Sequence, residues 1–445
     1  MFLPAVTTSA ASAATPHFDA PIVLKAPAPS IGHPDVAVGS SGRVAVTWED
    51  ESNTHAAGVF VRRGTTSGRF GAVERLAKTG TGIGTVPSVA VGRDGGVAVA
   101  WQPGIGAEVA VAGAHGRFGR PHLLSVEGPG SPQILAAGDR YVVFWLDGGR
   151  RITRPAVRYA VSDAAGRFGR ARILAPELRR DNLVTAVDPT GAVIAAWGTP
   201  ARRGPPATNQ QLAFARLAPG AATFGPTTVL RAAAADQGAE TDTITAAAGP
   251  GGAALGWSEQ GHLPEMLRAA PLTGATQPAP ETVFTLDSDD LGKRYAQGPA
   301  LSLPGGGLPP IAAWSVIDTP QGDFGPTASA RVFAAQRRPD GTYGDPVPIS
   351  PPGTKATGPV AAATRSTAVV AWTTGDIHRN ALQYAVRTGN GTFGDPRAFT
   401  RHRTTPGVTF ASSPDAVVAV WTTQRGSAPR NGISIAILHD PVSRR

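Results

Sequence analysis

Gly42–Trp48 reads GRVAVTW, and the same phrase returns seven times: GGVAVAW at Gly95–Trp101, DRYVVFW at Asp139–Trp145, GAVIAAW at Gly191–Trp197, GGAALGW at Gly251–Trp257, PPIAAW at Pro309–Trp314, TAVVAW at Thr367–Trp372 and DAVVAVW at Asp415–Trp421. Each is a turn, an alternating apolar run and a closing tryptophan. The chain has eight tryptophans, and all eight occupy this one place. Their spacings are 53, 44, 52, 60, 57, 58 and 49 residues, so one structural unit recurs about every 53. A fixed period of this size marks a repeat architecture.

A second landmark follows most tryptophans by some 20–30 residues. It reads Gly-x-aromatic-Gly: GRFG at Gly68–Gly71, Gly116–Gly119 and Gly166–Gly169, ATFG at Ala222–Gly225, GTYG at Gly341–Gly344 and GTFG at Gly391–Gly394. After Trp257, Pro278–Phe284 stands in for it. Four short strands fit each period. In the first, they are predicted at Asp35–Val38 (strand A), Arg43–Trp48 (B), Gly58–Arg62 (C) and Ala72–Leu76 (D). The A–B turns SSG, GRDGG, DPTG, GPGG and SSPD are tight hairpin signals. A weak Ala-rich helical piece at Arg231–Ala235 is the sole departure from strand patterning.

Four-stranded antiparallel units at this period are the signature of a propeller. On the Trp and Gly-x-Phe-Gly landmarks, the chain resembles the β-propeller repeat proteins across residues 16–440. The Trp-Asp dipeptide of WD40 blades is absent, the sialidase Asp-box places its Trp differently, and the kelch pattern is not reproduced. The resemblance therefore implies fold and repeat number, and it brings no catalytic residue with it. The expected fold class is all-β: an eight-bladed β-propeller of four-stranded antiparallel blades. The last repeat runs out after its third strand, at Ile433–Leu438. His17–Leu24 aligns with Thr392–Phe399, Phe18 falling on Phe393 and Pro21 on Pro396. This N-terminal strand is predicted to complete the last blade and close the ring, leaving no open edge.

Composition sets the outer limits. The chain has 445 residues, 41% hydrophobic and 16% charged, with 55 glycines and 41 prolines. It can bury a large core and is rich in turns. No apolar run approaches the ~18 residues of a membrane-spanning helix. Absence of cysteine excludes disulfides, thiolate metal sites and a cysteine nucleophile. The formal charge is +9, and all but four of the 41 basic residues (Lys25, Lys78, Lys293 and Lys355) are arginine. Arginine suits bidentate contact with carboxylate, sulfate and phosphate, although Ala, Gly, Pro and Arg together are also what a GC-rich genome favours. No block of five basic residues occurs, so nucleic acid is not an expected partner. Residues 1–15, with Ala11-Ser12-Ala13, read as a signal-peptide remnant or a tail. This makes residues 16–440 one propeller domain, residues 441–445 a tail, and the protein an exported monomer located extracellularly or in the cell envelope.

In such a ring the B–C and D–A connections share one face, and here they are long and charged. The candidate ligand-binding residues on them are Glu49, Asp50, Arg150, Arg151, Arg179, Arg180, Arg202, Arg203, Asp376, His378, Arg401, His402 and Arg403. Acidic clusters at Glu49–Glu51 and at Asp287, Asp289 and Asp290 have the residue type of a glycosidase acid/base pair. Asp287-x-Asp289 with Gly292 faintly follows a calcium loop but lacks its later ligands. No metal or cofactor is expected, and no HExxH, GxSxG or GxxxxGK[ST] motif occurs. Three readings stand: a non-catalytic propeller binding an extracellular glycan or other polyanion on the long-connection face, a polysaccharide hydrolase or lyase with carboxylates at the channel mouth, and a structural or adhesive envelope module.

Overall fold

In a computed structural model, the chain is an all-β ring of eight four-stranded antiparallel sheets. The structure describes the whole chain except residues 1–15, 30, 51–56, 79–85, 104–105, 127–131, 148–155, 177, 179–182, 200–210, 231–239, 261–264, 273–277, 287–293, 320–327, 376–380, 401–403, 405–406, 426–429 and 444–445. The helical piece expected at Arg231–Ala235 lies outside the described residues.

Each blade runs A-B-C-D from the channel outward. The B strands are Arg43–Asp50, Val97–Trp101, Arg140–Asp147, Val193–Thr199, Gly252–Gln260, Ile311–Asp318, Thr367–Thr374 and Ala416–Arg425. Their tryptophans are all buried. Blade 1 shows how the predicted strands extend: A is Ile31–Val38, C is Gly58–Thr65 and D is Phe70–Lys78. The A–B hairpins close as the glycines require. Gly42 N donates to Gly39 O at 3.0 Å, and Gly42 adopts φ +75°, which a side chain would strain.

The core consists of eight apolar clusters, one in each wedge between neighbouring blades. Alternation along strand B divides its residues between two wedges. In blade 1, Val44, Val46 and Trp48 pack against blade 8, while Ala45 packs against blade 2. Every tryptophan faces the preceding blade: Trp101 joins Val59 and Val61 of blade 1, and Trp197 joins Val142 and Phe144 of blade 3. The Gly-x-aromatic-Gly rings fill the same wedges, with Phe118 against the cluster of Trp101 and Phe393 against that of Trp372. Both landmarks are therefore packing devices.

The ring closes through the N-terminus. Ile22–Pro29 pairs antiparallel with Arg430–His439 as the outermost strand of blade 8. The strand thus begins and ends some five residues later than the predicted His17–Leu24. The segment before it still follows the expected register, since Asp19 N donates to Ile437 O at 2.8 Å. Phe18 packs against the cluster of Trp421 between blades 7 and 8, as the Phe393 alignment requires. No described helix is long and apolar enough to cross a membrane.

Candidate functional site

The A strands line a central channel, within which a cavity of about 1030 Å³ lies against blades 8, 1, 2, 3 and 4. Its wall is mostly Val, Ile, Ala and Pro, crossed by a polar belt. Opposite the residue that precedes each tryptophan, strand A carries Asp35, Ser88, Gln133, Val184, Thr245, Ala300, Val360 and Thr409. The polar ones reach the following blade. Asp35 Oδ2 accepts from Val89 N (2.9 Å), and Ser88 Oγ from Ile134 N (3.3 Å). Gln133 Nε2 donates to Leu183 O (3.1 Å), and its Oε1 accepts from Thr185 Oγ1 (2.9 Å). Thr245 Oγ1 donates to Pro299 O (2.8 Å), and Thr409 Oγ1 to Pro34 O (3.4 Å). Burial pushes the Asp35 carboxyl above the usual carboxylate range, against bonds from Val89 N, Val36 N and Ser88. This belt holds blades together, and its groups are engaged with protein.

Glu49 and Asp50 end strand B of blade 1 where it pairs with Gly32 and Ile31. Both are buried. Glu49 Oε1 lies 3.4 Å from Nε2 of His33, a residue held at φ +47° beside a register shift in strand A. Consecutive strand residues point to opposite sides of the sheet, so Glu49 and Asp50 do not face one another across a shared groove. The remaining candidates, Arg150, Arg151, Arg179, Arg180, Arg202, Arg203, Asp376, His378, Arg401, His402 and Arg403, lie outside the described residues, as do Asp287, Asp289 and Asp290. The strands that flank them end on the face where the B–C and D–A connections leave the blades.

Ion pairs that the sequence reading missed recur at the same strand ends. Arg158 pairs with Asp147 in blade 3, and Arg268 Nε lies 3.5 Å from Glu259 Oε2 in blade 5. Glu259 Oε1 also accepts from Trp257 Nε1 at 3.1 Å. In both blades the acid stands two residues after the tryptophan and the arginine stands opposite it on strand C. The phrases Trp145-Leu146-Asp147 and Trp257-Ser258-Glu259, each followed by an arginine on the next strand, carry this signal. Among the described residues, no three His, Asp or Glu side chains converge as a metal site requires.

Among the described residues, one buried cation lacks an acidic partner. Arg387, on strand C of blade 7, is 3% exposed, and its Nη1 donates to Gln336 Oε1 at 2.9 Å. No carboxylate lies within ion-pair distance of it among the described residues, and burial lowers its pKa from the usual guanidinium value. Replacing a buried ion pair by well-packed apolar residues is often neutral or stabilising by ~1–4 kcal/mol, because desolvating charge is costly, and here the change leaves no buried acid behind. Arg387→Met is therefore expected to melt at or above the wild-type temperature; a clear drop would assign the guanidinium a stabilising role.

No protein-family model matches the chain, and no curated protein matches it in sequence. Solved structures of similar fold include an ulvan lyase, of a new polysaccharide lyase family, bound to a GlcA–Rha3S repeat (11% identity, TM-score 0.49, 92% of this chain and 94% of that one). A protein of unknown function from Dyadobacter fermentans follows (9%, 0.43, 96% and 100%), as does the propeller domain of the Trilobed protease from Pyrococcus furiosus (10%, 0.45, 85% and 97%). These likenesses carry no inference about chemistry.

Proposed function

We propose that this is an exported, non-catalytic propeller that binds an acidic glycan on the face of its long B–C and D–A connections. One observation carries the reading. The stretches bearing Arg150, Arg151, Arg179, Arg180, Arg202, Arg203, Arg401 and Arg403 all join strand ends on that one face of the ring. Three described carboxylates near these ends are taken up in internal pairs: Glu49 with His33, Asp147 with Arg158 and Glu259 with Arg268. A glycosidase needs two carboxylates free to flank a sugar bond, and these do not supply them. Ala11-Ser12-Ala13 supports export.

Changing Arg150, Arg151, Arg179 and Arg180 together to Ser is expected to weaken binding of a sulfated or uronic-acid polysaccharide at least about fourfold, taking ~0.2–1 kcal/mol for each exposed contact. Wild-type affinity falls as salt rises, because such contacts are screened over ~8–10 Å. Melting temperature stays within the range of surface substitutions, about ±0.5 kcal/mol. Binding that ignores both salt and the four changes refutes the assignment.

A further inference from the structure

The opposite face carries a groove with its own charge. It lies at the outer rim between blade 1 and the C–D turn of blade 2 and encloses about 730 Å³. That is the size of a small-ligand cleft, ~300–1,000 Å³. Arg43, Arg63, Arg75 and Arg117 line it, with His115 and Phe118, and Glu74 is the sole carboxylate among the described residues of its wall. Three guanidinium groups, those of Arg43, Arg63 and Arg117, stand against this one acid, while that of Arg75 is turned to Ala57 O.

Two of the arginines are fixed by the neighbouring blade. Arg43 Nη1 donates to Ala114 O and Arg63 Nη1 to Gly116 O, both at 2.8 Å. The Arg63 guanidinium also lies 5.2 Å from the Phe118 ring centre, and its Nε and Nη2 donate to Glu74 Oε1 at 2.9 and 2.6 Å. Preset cations lose little freedom when a ligand arrives. Arg117 is exposed and makes no such contact to the fold.

Blade 1 departs from the repeat at this place. Arg63 stands opposite the residue three before the tryptophan, where the other blades carry Val111, Val161, Arg216, Pro271, Gln336, Val386 and Ile437. Arg216 is the other arginine in this series, and it pairs with Asp188 as Arg63 pairs with Glu74. Packing alone is met by Val or Ile at this position, so the packing of the wedge does not explain the concentration of charge around Arg63.

We propose that this groove is a second ligand site, taking a short acidic oligosaccharide through its carboxylate or sulfate groups. Planar forks match such oxyanions bidentately. The groove's limited volume selects a short oligomer over a nucleic acid duplex. The ligand class rests on the acidic-glycan reading above, but the residues are separate from the long-connection face.

The test is titration calorimetry of the full chain already carrying Ser at positions 150, 151, 179 and 180, using a uronate tetrasaccharide, a sulfated tetrasaccharide and inorganic sulfate as probes. Expected is residual tetrasaccharide binding that Arg117→Glu weakens about tenfold and that Glu74→Gln, which frees Arg63, strengthens several-fold. Thermal melts establish that both variants fold. Inorganic sulfate binding as tightly as the tetrasaccharides would reduce the groove to a simple anion site and overturn the proposal. So would absence of residual binding, or residual binding that Arg117→Glu leaves unchanged. The acidic-glycan reading of the long-connection face fails separately, if the four serines leave wild-type affinity and stoichiometry intact.

Discussion

Removing residues 1–25 is expected to unfold or aggregate the protein, whereas removing residues 1–14 is expected to leave its melting temperature unchanged. The segment from Phe18 to Leu24 reaches three blades. Phe18 lies edge-on to Tyr384 of blade 7 (centroids 4.9 Å apart), 4.8 Å from Phe399 and stacked at 6.1 Å on Phe410 of blade 8. Ile22 and Leu24 face the cluster that holds Val46 and Trp48 of blade 1. Arg62 Nη1 of blade 1 donates to Leu24 O at 2.8 Å. Val23 is 50% exposed, as alternation along an outer strand requires, so it adds little. Burying Phe18, Ile22 and Leu24 is worth ~1.5–3 kcal/mol each, roughly 5–9 kcal/mol together before entropy offsets. Net stabilities of domains are ~5–15 kcal/mol. Loss of the strand also opens the edge of Arg430–His439 to pairing with other chains. Two thermal melts decide the matter. Equal melting temperatures for the two truncations would mean that the ring does not depend on this strand.

The repeat was legible because a large residue marks it. Tryptophan fills a wedge that smaller side chains leave open, so each blade keeps one, and its register fixes strand B. Strand limits were harder to read. His33 and Pro34 interrupt strand A of blade 1 at a register shift, so its first turn of ladder, Ile31 and Gly32 against Asp50 and Glu49, looks like loop in the sequence. The closing strand runs through Pro27 and Pro29, which donate no backbone hydrogen bond and signal against a strand. An outermost strand tolerates them on its free side. The channel belt was hidden for a related reason. Asp35, Ser88 and Gln133 each follow a proline (Pro34, Pro87 and Pro132) and read as turn residues. Their shared role emerges only when each is set opposite the residue before its tryptophan. The long-connection arginines were legible as composition, but sequence spacing gives no distances among four connections from different blades. The blade 1 groove escaped for the same reason: Arg43, Arg63 and Arg75 are separated from His115, Arg117 and Phe118 by some 40–75 positions and meet only across a wedge.

Asp440→Ala is expected to cost about 3–5 kcal/mol at neutral pH, and the deficit is expected to shrink in acid. Asp440 follows the last strand and is 1% exposed. Its carboxylate accepts from Thr364 Oγ1 (2.5 Å) and Ser366 N (2.8 Å), at the A–B turn of blade 7, and from Val442 N (2.8 Å) in the tail. Its own N–H donates to Asp415 O of blade 8 at 2.8 Å. The side chain thus ties the A–B turn of blade 7 to the end of the chain, while the backbone N–H holds the neighbouring turn of blade 8. Bonds to a charged group contribute ~1.5–3 kcal/mol each, and removing the acceptor leaves buried donors unmet. Burial alone would raise the carboxyl's pKa, but the donors from Thr364, Ser366 and Val442 outweigh it and hold it below the ordinary 3.8. A carboxyl whose pKa is lower folded than unfolded stabilises the fold above the unfolded value, and that contribution is lost as pH falls through the folded one. The gap in melting temperature between wild type and Asp440→Ala is therefore widest near neutrality and narrows below about pH 4. Other carboxyls titrate in both proteins and cancel in the difference. Equal stability at neutral pH, or a gap that persists undiminished through acid, would show that the Asp440 charge does not fasten the C-terminal end of the ring.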